Sequence, residues 1–328
     1  MVLRKPLVLI RFISKTRLCG IHILFTFTNY DTNMLNNIRK IQKTDEQRFT
    51  FSLLLPTWNN LPYLQLCIES IRRNSTLSIQ IIVIVNDGSD GTIEWLEQQN
   101  TIDYVHAVQN IGICYGLNIA RSLVKADYIV YLNDDMYVLP DWDTHLFNEI
   151  KKIGHSDFML SGTMIEPHST GNSCVVVKDF GTNPDNFREK ELLDTYTTLY
   201  RNNWSGSTWP PNVVHRDLWD LVGGFSVEFT PGMYSDPDFS KKVYDTGVRI
   251  FKGVGTSLVY HFGSKSTRRV KRNRGRNTFL LKWGITARLF TKKYLSSGCT
   301  NITTLTEHTL SCADKCTSIV KRILSCIR

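Results

Sequence analysis

Four apolar runs mark the first half of the chain, and each stops at a polar loop. Residues 51–55 (FSLLL), 81–85 (IIVIV), the stretch around Tyr104 and residues 128–132 (YIVYL) are β-branched, leucine-rich or aromatic. They are too short for helices, so each predicts a buried strand. Between the first two, Leu64, Cys67, Ile68 and Ile71 fall at i, i+3, i+4 and i+7, the apolar face of a helix. A further helix is expected over 113–124, another near 142–153, and a strand near 158–165. Strand, loop and helix in repetition predict a parallel sheet with a ligand crevice at the strands' carboxyl ends. Residues 166–209 are polar and irregular and read as loops carrying selectivity on a rigid frame. Residues 279–290 predict a helix that packs back on the domain, and a short amphipathic segment closes the chain at 319–327.

The polar stops hold the candidate chemistry. Asn133-Asp134-Asp135 puts two carboxylates at a strand end. Like charges this close repel, so an ionised pair implies a cation, and hard oxygen donors suit Mg²⁺ or Mn²⁺. Asn86-Asp87-Gly88-Ser89-Asp90-Gly91-Thr92 opens a helix, with Ser89 or Asp90 as N-cap. Gly112 and Gly116 let their helix approach either the sheet or a ligand closely. Pro237 suits the first turn of a helix, which would make Asp236 its N-cap, facing the crevice. Trp204 and Trp209 flank small hydroxyl residues, an arrangement for stacking on a sugar ring or for core packing.

Taken in order, LPTWNN, VNDGSDGT, QNIGICYGLN and YLNDDMYV, then GGFSVEFTPGMYSDPDFSKKVYDTGVRIFKGVGTSLVYHFGS, resemble the family 2 glycosyltransferases with the GT-A fold. The resemblance covers residues 49–265. It implies an α/β fold: a GT-A-type, Rossmann-like mixed sheet sandwiched by helices, as a single main domain with extensions at both ends. Its nucleotide-binding half would be 49–140 and its acceptor and catalytic half 141–265. An N-terminal extension (1–48), a basic loop with a packing helix (266–296) and a variable tail (297–328) flank it. The implied activity is inverting transfer of a sugar from a nucleotide-diphosphate donor to a glycan, lipid-linked or protein acceptor, in polysaccharide or surface-glycan synthesis. By the same resemblance Pro56, Thr57, Trp58, Asp87, Asn110, Gly112 and Asp134 bind the nucleotide sugar. Asp135 and His261 hold Mn²⁺ or Mg²⁺, Asp236 is the general base, Lys265 and Arg268 contact the diphosphate, and Trp204 and Trp209 the acceptor. Asn133 stands where the family often has Asp, and Ser235 where it commonly has Glu. Those two departures favour the alternative, a non-catalytic nucleotide-sugar or glycan-binding protein; Asp87, Asp135, Asp236 and His261 favour the enzyme.

Composition narrows the partners. With 328 residues and 42% hydrophobic content the chain can bury a large core. Of its net charge of +9, seven units sit in residues 265–276, which contain no acid. A local run of this kind, with no recognition motif beside it, does not predict nucleic-acid binding. It fits peripheral contact with anionic lipid, or a solvated loop. Eight scattered cysteines, with only His308 near Cys312 and Cys316, fall short of a zinc ligand set and suit the reduced thiols of a cytoplasmic protein, including one at the cytoplasmic membrane face. Residues 18–30 are the longest uncharged N-terminal stretch, too short to span a bilayer, and no cleavage site follows. Residues 1–33 are expected to be either a weak interfacial anchor or a leader ahead of Met34. The first strand carries no Gly-rich, Arg-containing loop, which argues against a nucleotidyltransferase.

Overall fold

A computed structural model describes residues 37–44, 48–263, 273–301 and 304–327. Residues 1–33, Lys265 and Arg268 lie outside the described residues. The strands are β1 (Ile38–Ile41), β2 (Phe51–Trp58), β3 (Ile79–Asn86), β4 (Ile102–Ala107), β5 (Tyr128–Tyr131), β6 (Met136–Val138), β7 (Phe158–Glu166), β8 (Val176–Val177), β9 (Trp204–Ser205), β10 (Asn212–His215) and β11 (Ile250–His261). They form one sheet in the order β1-β4-β3-β2-β5-β10-β7-β11-β6, with β8 beside β7 and β9 beside β11.

The four predicted strands, β2 to β5, pair in parallel and begin the fold. The runs in β2, β3 and β5 are mostly apolar because helices cover both faces. Successive residues alternate between two cores. Leu53, Leu55, Val83, Val85 and Val130 join one, while Leu54, Ile82, Ile84 and Ile129 join the other. The first core is covered by α1 (Leu61–Asn74), α2 (Thr92–Glu97) and, beyond α3 (Ile113–Ala120), α4 (Trp142–Ile153). The chain then adds α5 (Glu189–Thr195), α6 (Arg216–Leu221), α7 (Ser235–Asp245) and α8 (Gly275–Trp283). The second core is covered by α3, α6, α7 and α8. Last come α9 (Ala287–Leu289) and α10 (Cys312–Ile327).

The second half of the sheet is mixed. β10 runs antiparallel to both β5 and β7, β11 is parallel to β7, and β6 is antiparallel to β11. An irregularity between Val254 and Leu258 shifts the β11 register against β7. Beyond it, β11 pairs His261 with Met136, which sets it beside the Asp134–Asp135 turn.

Several expectations need correction. The sheet starts before residue 49: β1 pairs antiparallel with β4, and its short Ile-Arg-Lys-Ile sequence carries no clear strand signal. The N-cap of α2 is Gly91, with φ +92°; Asp90 instead accepts from the Leu61 and Thr92 amides and so ties α2 to α1. α3 ends at Ala120 and a 3-10 turn carries the chain to Leu123. The helix expected over 279–290 begins at Gly275 and breaks at Gly284, whose φ of +72° ends it in a left-handed cap. Residues 166–209 include α5, with Leu192 and Phe180 fully buried against Tyr260, so part of this segment is core.

Candidate active site

A cavity of about 390 Å³ opens at the carboxyl ends of β2, β3 and β5. Pro56, Thr57 and Trp58 line it from the end of β2, and Asn86 from the end of β3. The Thr57 hydroxyl is buried there without a hydrogen-bond partner among the described residues. Asn110 and Gly112 line it from the loop before α3, where Asn110 Oδ1 accepts from the Gly112 amide at 2.8 Å. Asn86, which sequence reasoning passed over, supports that loop by accepting from the Ile111 amide at 3.0 Å. Gly112 has φ +78°, and a Cβ there would sit 2.5 Å from Thr230 Cγ2 and 3.0 Å from Pro231 Cα. This glycine lets the 230–231 loop close over α3, with the Ile113 amide donating to the Pro231 carbonyl at 3.0 Å. Gly116 is pressed on Ile84 and serves helix packing.

Asp87 stands outside the cavity lining. It has φ +71° and accepts from Asn59 Nδ2 at 3.0 Å. Desolvation works to raise its pKa, but hydrogen bonds from Ser89 and Asn59 outweigh it and hold the carboxyl below its ordinary value. Asn59 also accepts from the Gly88 amide at 2.8 Å, so this loop is braced around the carboxylate.

Asp134 and Asp135 are both buried at the turn between β5 and β6 and line the cavity. The β11 register delivers His261 to the same place: its Nε2 lies 3.4 Å from Asp135 Oδ1. Its other nitrogen, Nδ1, lies 2.7 Å from Glu166 Oε1 at the end of β7. Burial works against a charged imidazole, but Asp135 and Glu166 on either side outweigh it and raise the ring to about 10. Glu166 was missed in the sequence because an isolated carboxylate in a polar stretch gains meaning only from the β7–β11 pairing.

Among the described residues, no three His, Cys, Asp or Glu side chains converge as a metal cluster. Asp135 and His261 nevertheless make a fitting half-set. Mg²⁺ and Mn²⁺ take one or two protein donors and complete their shells with phosphate oxygens and water. A ligating histidine also characteristically gives its other N–H to a carboxylate, the place Glu166 fills.

Asp236 lines the cavity from the first turn of α7. It does not cap that helix; the N-cap is Tyr234, with φ +70° and no side-chain capping bond. Asp236 Oδ1 is shielded from solvent and has no hydrogen-bond partner among the described residues. Burial raises its carboxyl to about 7. Ser235 is buried, and its hydroxyl donates to the Gly232 carbonyl at 2.6 Å, locking the loop that presents Asp236. Beneath the same wall, burial pushes Cys114 up to about 12 and Tyr131 well above its usual range.

The two tryptophans separate. Trp209 lines the cavity, but Trp204 is 1% exposed and donates from Nε1 to Thr163 Oγ1 at 2.8 Å. It packs over Gly253, where any Cβ would overlap its ring, so Trp204 is a core residue and not an acceptor contact. Met164, Asn172, Met233 and Tyr234 also line the cavity and were not singled out in the sequence.

Residues 52–199 match the family model described as Glycosyl transferase family 2. Glycosyltransferase GlyG of Streptococcus pneumoniae is 24% identical over 176 residues, covering 52% of this chain and 58% of GlyG. An uncharacterized glycosyltransferase of Rickettsia prowazekii is 29% identical over 147 residues, covering 44% of this chain and 43% of its own. Chondroitin synthase of Pasteurella multocida is 32% identical over 94 residues, covering 27% of this chain and 10% of the synthase. The chain thus spans less than two thirds of the length of these curated relatives. Among solved structures, residues 1–349 of Staphylococcus aureus TarS share the fold at a TM-score of 0.51 and 12% identity, covering 84% of this chain and 71% of that one. The same TarS segment in complex with UDP-GlcNAc matches at 0.51 and 12% identity, covering 84% and 72%. The central mixed sheet flanked by helices is the GT-A arrangement.

Proposed function

We infer from the match of residues 52–199 to glycosyl transferase family 2 that this chain transfers a sugar from a nucleoside-diphosphate donor with inversion. The observation that carries the reading is Asp236: a shielded carboxyl raised to about 7, in one cavity with the Asp135–His261 pair. A group titrating near neutrality can take a proton from an attacking hydroxyl at physiological pH. The TarS segment that shares this fold holds UDP-GlcNAc, which supports a UDP-sugar as the donor.

In this reading the nucleoside lies against Pro56, Thr57 and Trp58, with Asn110 and Asp134 at the ribose. Asp87 braces the loop from outside and meets the base at the cavity edge. Asp135 and His261 Nε2 would hold Mn²⁺ or Mg²⁺, which supplies positive charge to the departing diphosphate. His261 would give up its Nε2 proton to take that part, while Glu166 keeps the ring oriented through Nδ1. The acceptor enters beside Trp209 and Met233. Its oxygen bonds to the anomeric carbon on the face opposite the diphosphate, the carbon–oxygen bond to phosphate breaks, and the hydroxyl proton passes to Asp236. The cavity carboxylates other than Asp236 are engaged around His261 or the ribose, so single displacement suits the site better than a covalent intermediate.

The acceptor class proposed is a glycan or a lipid-linked glycan, with the protein working from the cytoplasm. No helix of the described residues is long and apolar enough to cross a membrane. Ser235, the departure that favours a non-catalytic binder, has a structural use in holding the Asp236 loop. Calorimetric titration of UDP and GDP with Mn²⁺ or with EDTA tests the metal role, and equal affinity in both would remove it. A screen of nucleotide sugars for metal-dependent hydrolysis separates enzyme from binder, since a binder would be stabilised by a donor and never release the free sugar.

A further inference from the structure

Helix α10 is mounted with its polar side inward. Ser318 is 4% exposed, and Arg322 reaches to within 3.7 Å of the point where a Cβ on Gly284 would stand, so the helix rests on the end of α8 through polar residues. Its aliphatic residues point away: Ile319, Val320, Ile323 and Leu324 are 53%, 54%, 56% and 56% exposed. Exposed Cys312 and Cys316 extend the same arc at i, i+4, i+7, i+8, i+11 and i+12. A helix covering a core would present the opposite face.

The surroundings are basic. Lys315 and Lys321 are exposed on α10, and Arg274 and Arg276 are exposed at the start of α8. The described residues from 273 to 327 hold nine Lys and Arg against two acids, Glu307 and Asp314. We propose that the outer face of α10, with the basic residues around it, is a docking surface for an anionic lipid bilayer. Charge alone would suit a nucleic acid or an acidic glycan equally, but four exposed aliphatic side chains offer those ligands nothing. A bilayer uses both features: the aliphatic face enters the headgroup–acyl boundary while Lys and Arg meet anionic headgroups. This module also adjoins the cavity wall. Asn273 Nδ2 donates to the Phe229 carbonyl at 2.7 Å and Gly275 is pressed against Met233, so a docked helix would hold the Pro231–Asp236 wall close to the lipid surface.

The test is co-sedimentation of the full chain with vesicles of phosphatidylcholine alone and of equimolar phosphatidylcholine and phosphatidylglycerol. Binding to the mixed vesicles is expected, falling about tenfold or more on pure phosphatidylcholine. The variant Ile323→Asp with Leu324→Asp should lose about tenfold or more on the mixed vesicles, because each side chain gives up its apolar burial. Lys315→Glu with Lys321→Glu should weaken binding by a similar factor. All four positions are exposed, so the melting temperature and donor hydrolysis in vesicle-free buffer should match the parent, which separates this proposal from the transferase reading. No sedimentation with mixed vesicles, or sedimentation indifferent to Ile323→Asp with Leu324→Asp, would overturn it. A dimer in solution abolished by that variant, with no vesicle binding, would overturn it by giving the face to a second copy. Heparin binding without vesicle binding would overturn it in favour of a soluble polyanion.

Discussion

A base that receives a proton in the transition state works best when its own pKa lies near the working pH. Burial holds Asp236 at about 7, so turnover with saturating donor should rise with pH and level off above an acid limb near 7. Asp236→Asn should remove that limb and lower turnover by about 10² or more, while donor affinity stays within about twofold. A variant that keeps parental turnover would leave Asp236 as a structural residue only. Stability supplies an independent reading of the same group. The folded chain keeps a proton that the unfolded chain releases near 4, so ionising Asp236 opposes folding increasingly from pH 4 to 7 and constantly above. Asp236→Asn should therefore raise the melting temperature at pH 8, by a gain on the order of 1–3 kcal/mol, and give no such gain at pH 4. Glu166 is the second residue with a separable role. Glu166→Gln leaves the His261 ring in place but removes the charge behind Nδ1, so Mn²⁺ affinity measured with UDP present should fall about 10–100-fold. UDP affinity in EDTA should not move.

At the scale of elements, register does what local sequence does not. β11 parallel to β7 and antiparallel to β6 brings Glu166, Asp135 and His261 together from three stretches of chain. The strands β2, β3 and β5 were legible because each is a largely apolar run buried on both faces, and the loops at their ends carry the nucleotide motifs. β1 and the two-residue strands were not legible, since they are short and their pairing is tertiary. Trp204 was ambiguous for a related reason: only the close approach of β9 to β11 at Gly253 reveals its pocket. That contact makes a specific prediction. Gly253→Ala forces a methyl into the Trp204 ring and should destabilise the protein by about 3 kcal/mol or more. Combining it with Trp204→Leu opens the space, so the double variant should melt higher than Gly253→Ala alone, a non-additivity that two independent defects would not produce.

For the whole molecule, the question is where the folding unit begins. The sequence placed the domain start near residue 49, where the family resemblance and the first apolar run begin. The structure attaches this segment to the core through a buried carboxylate. Asp103, fully buried in β4, accepts from the Lys43 amide at 2.7 Å, the Thr44 amide at 2.9 Å and the Thr44 hydroxyl at 2.6 Å. Gln80 Nε2 supplies a further bond at 2.7 Å. Lys43 Nζ in turn donates to the carbonyls of Leu96 and Gln99, both at 2.8 Å, tying the end of α2 to this segment. Removing residues before 49 would strand Asp103 with one of those four bonds and expose the β4 edge, a loss of several kcal/mol by the cost of an unpaired buried charge. A chain starting at Met34 keeps β1 and every one of these contacts. It should therefore match the full chain in melting temperature and in donor turnover. A chain starting at Phe49 should melt many degrees lower or be insoluble. Equal melting of the Phe49-start and Met34-start proteins would mean that water replaces the segment at Asp103 and that β1 is not part of the folding unit.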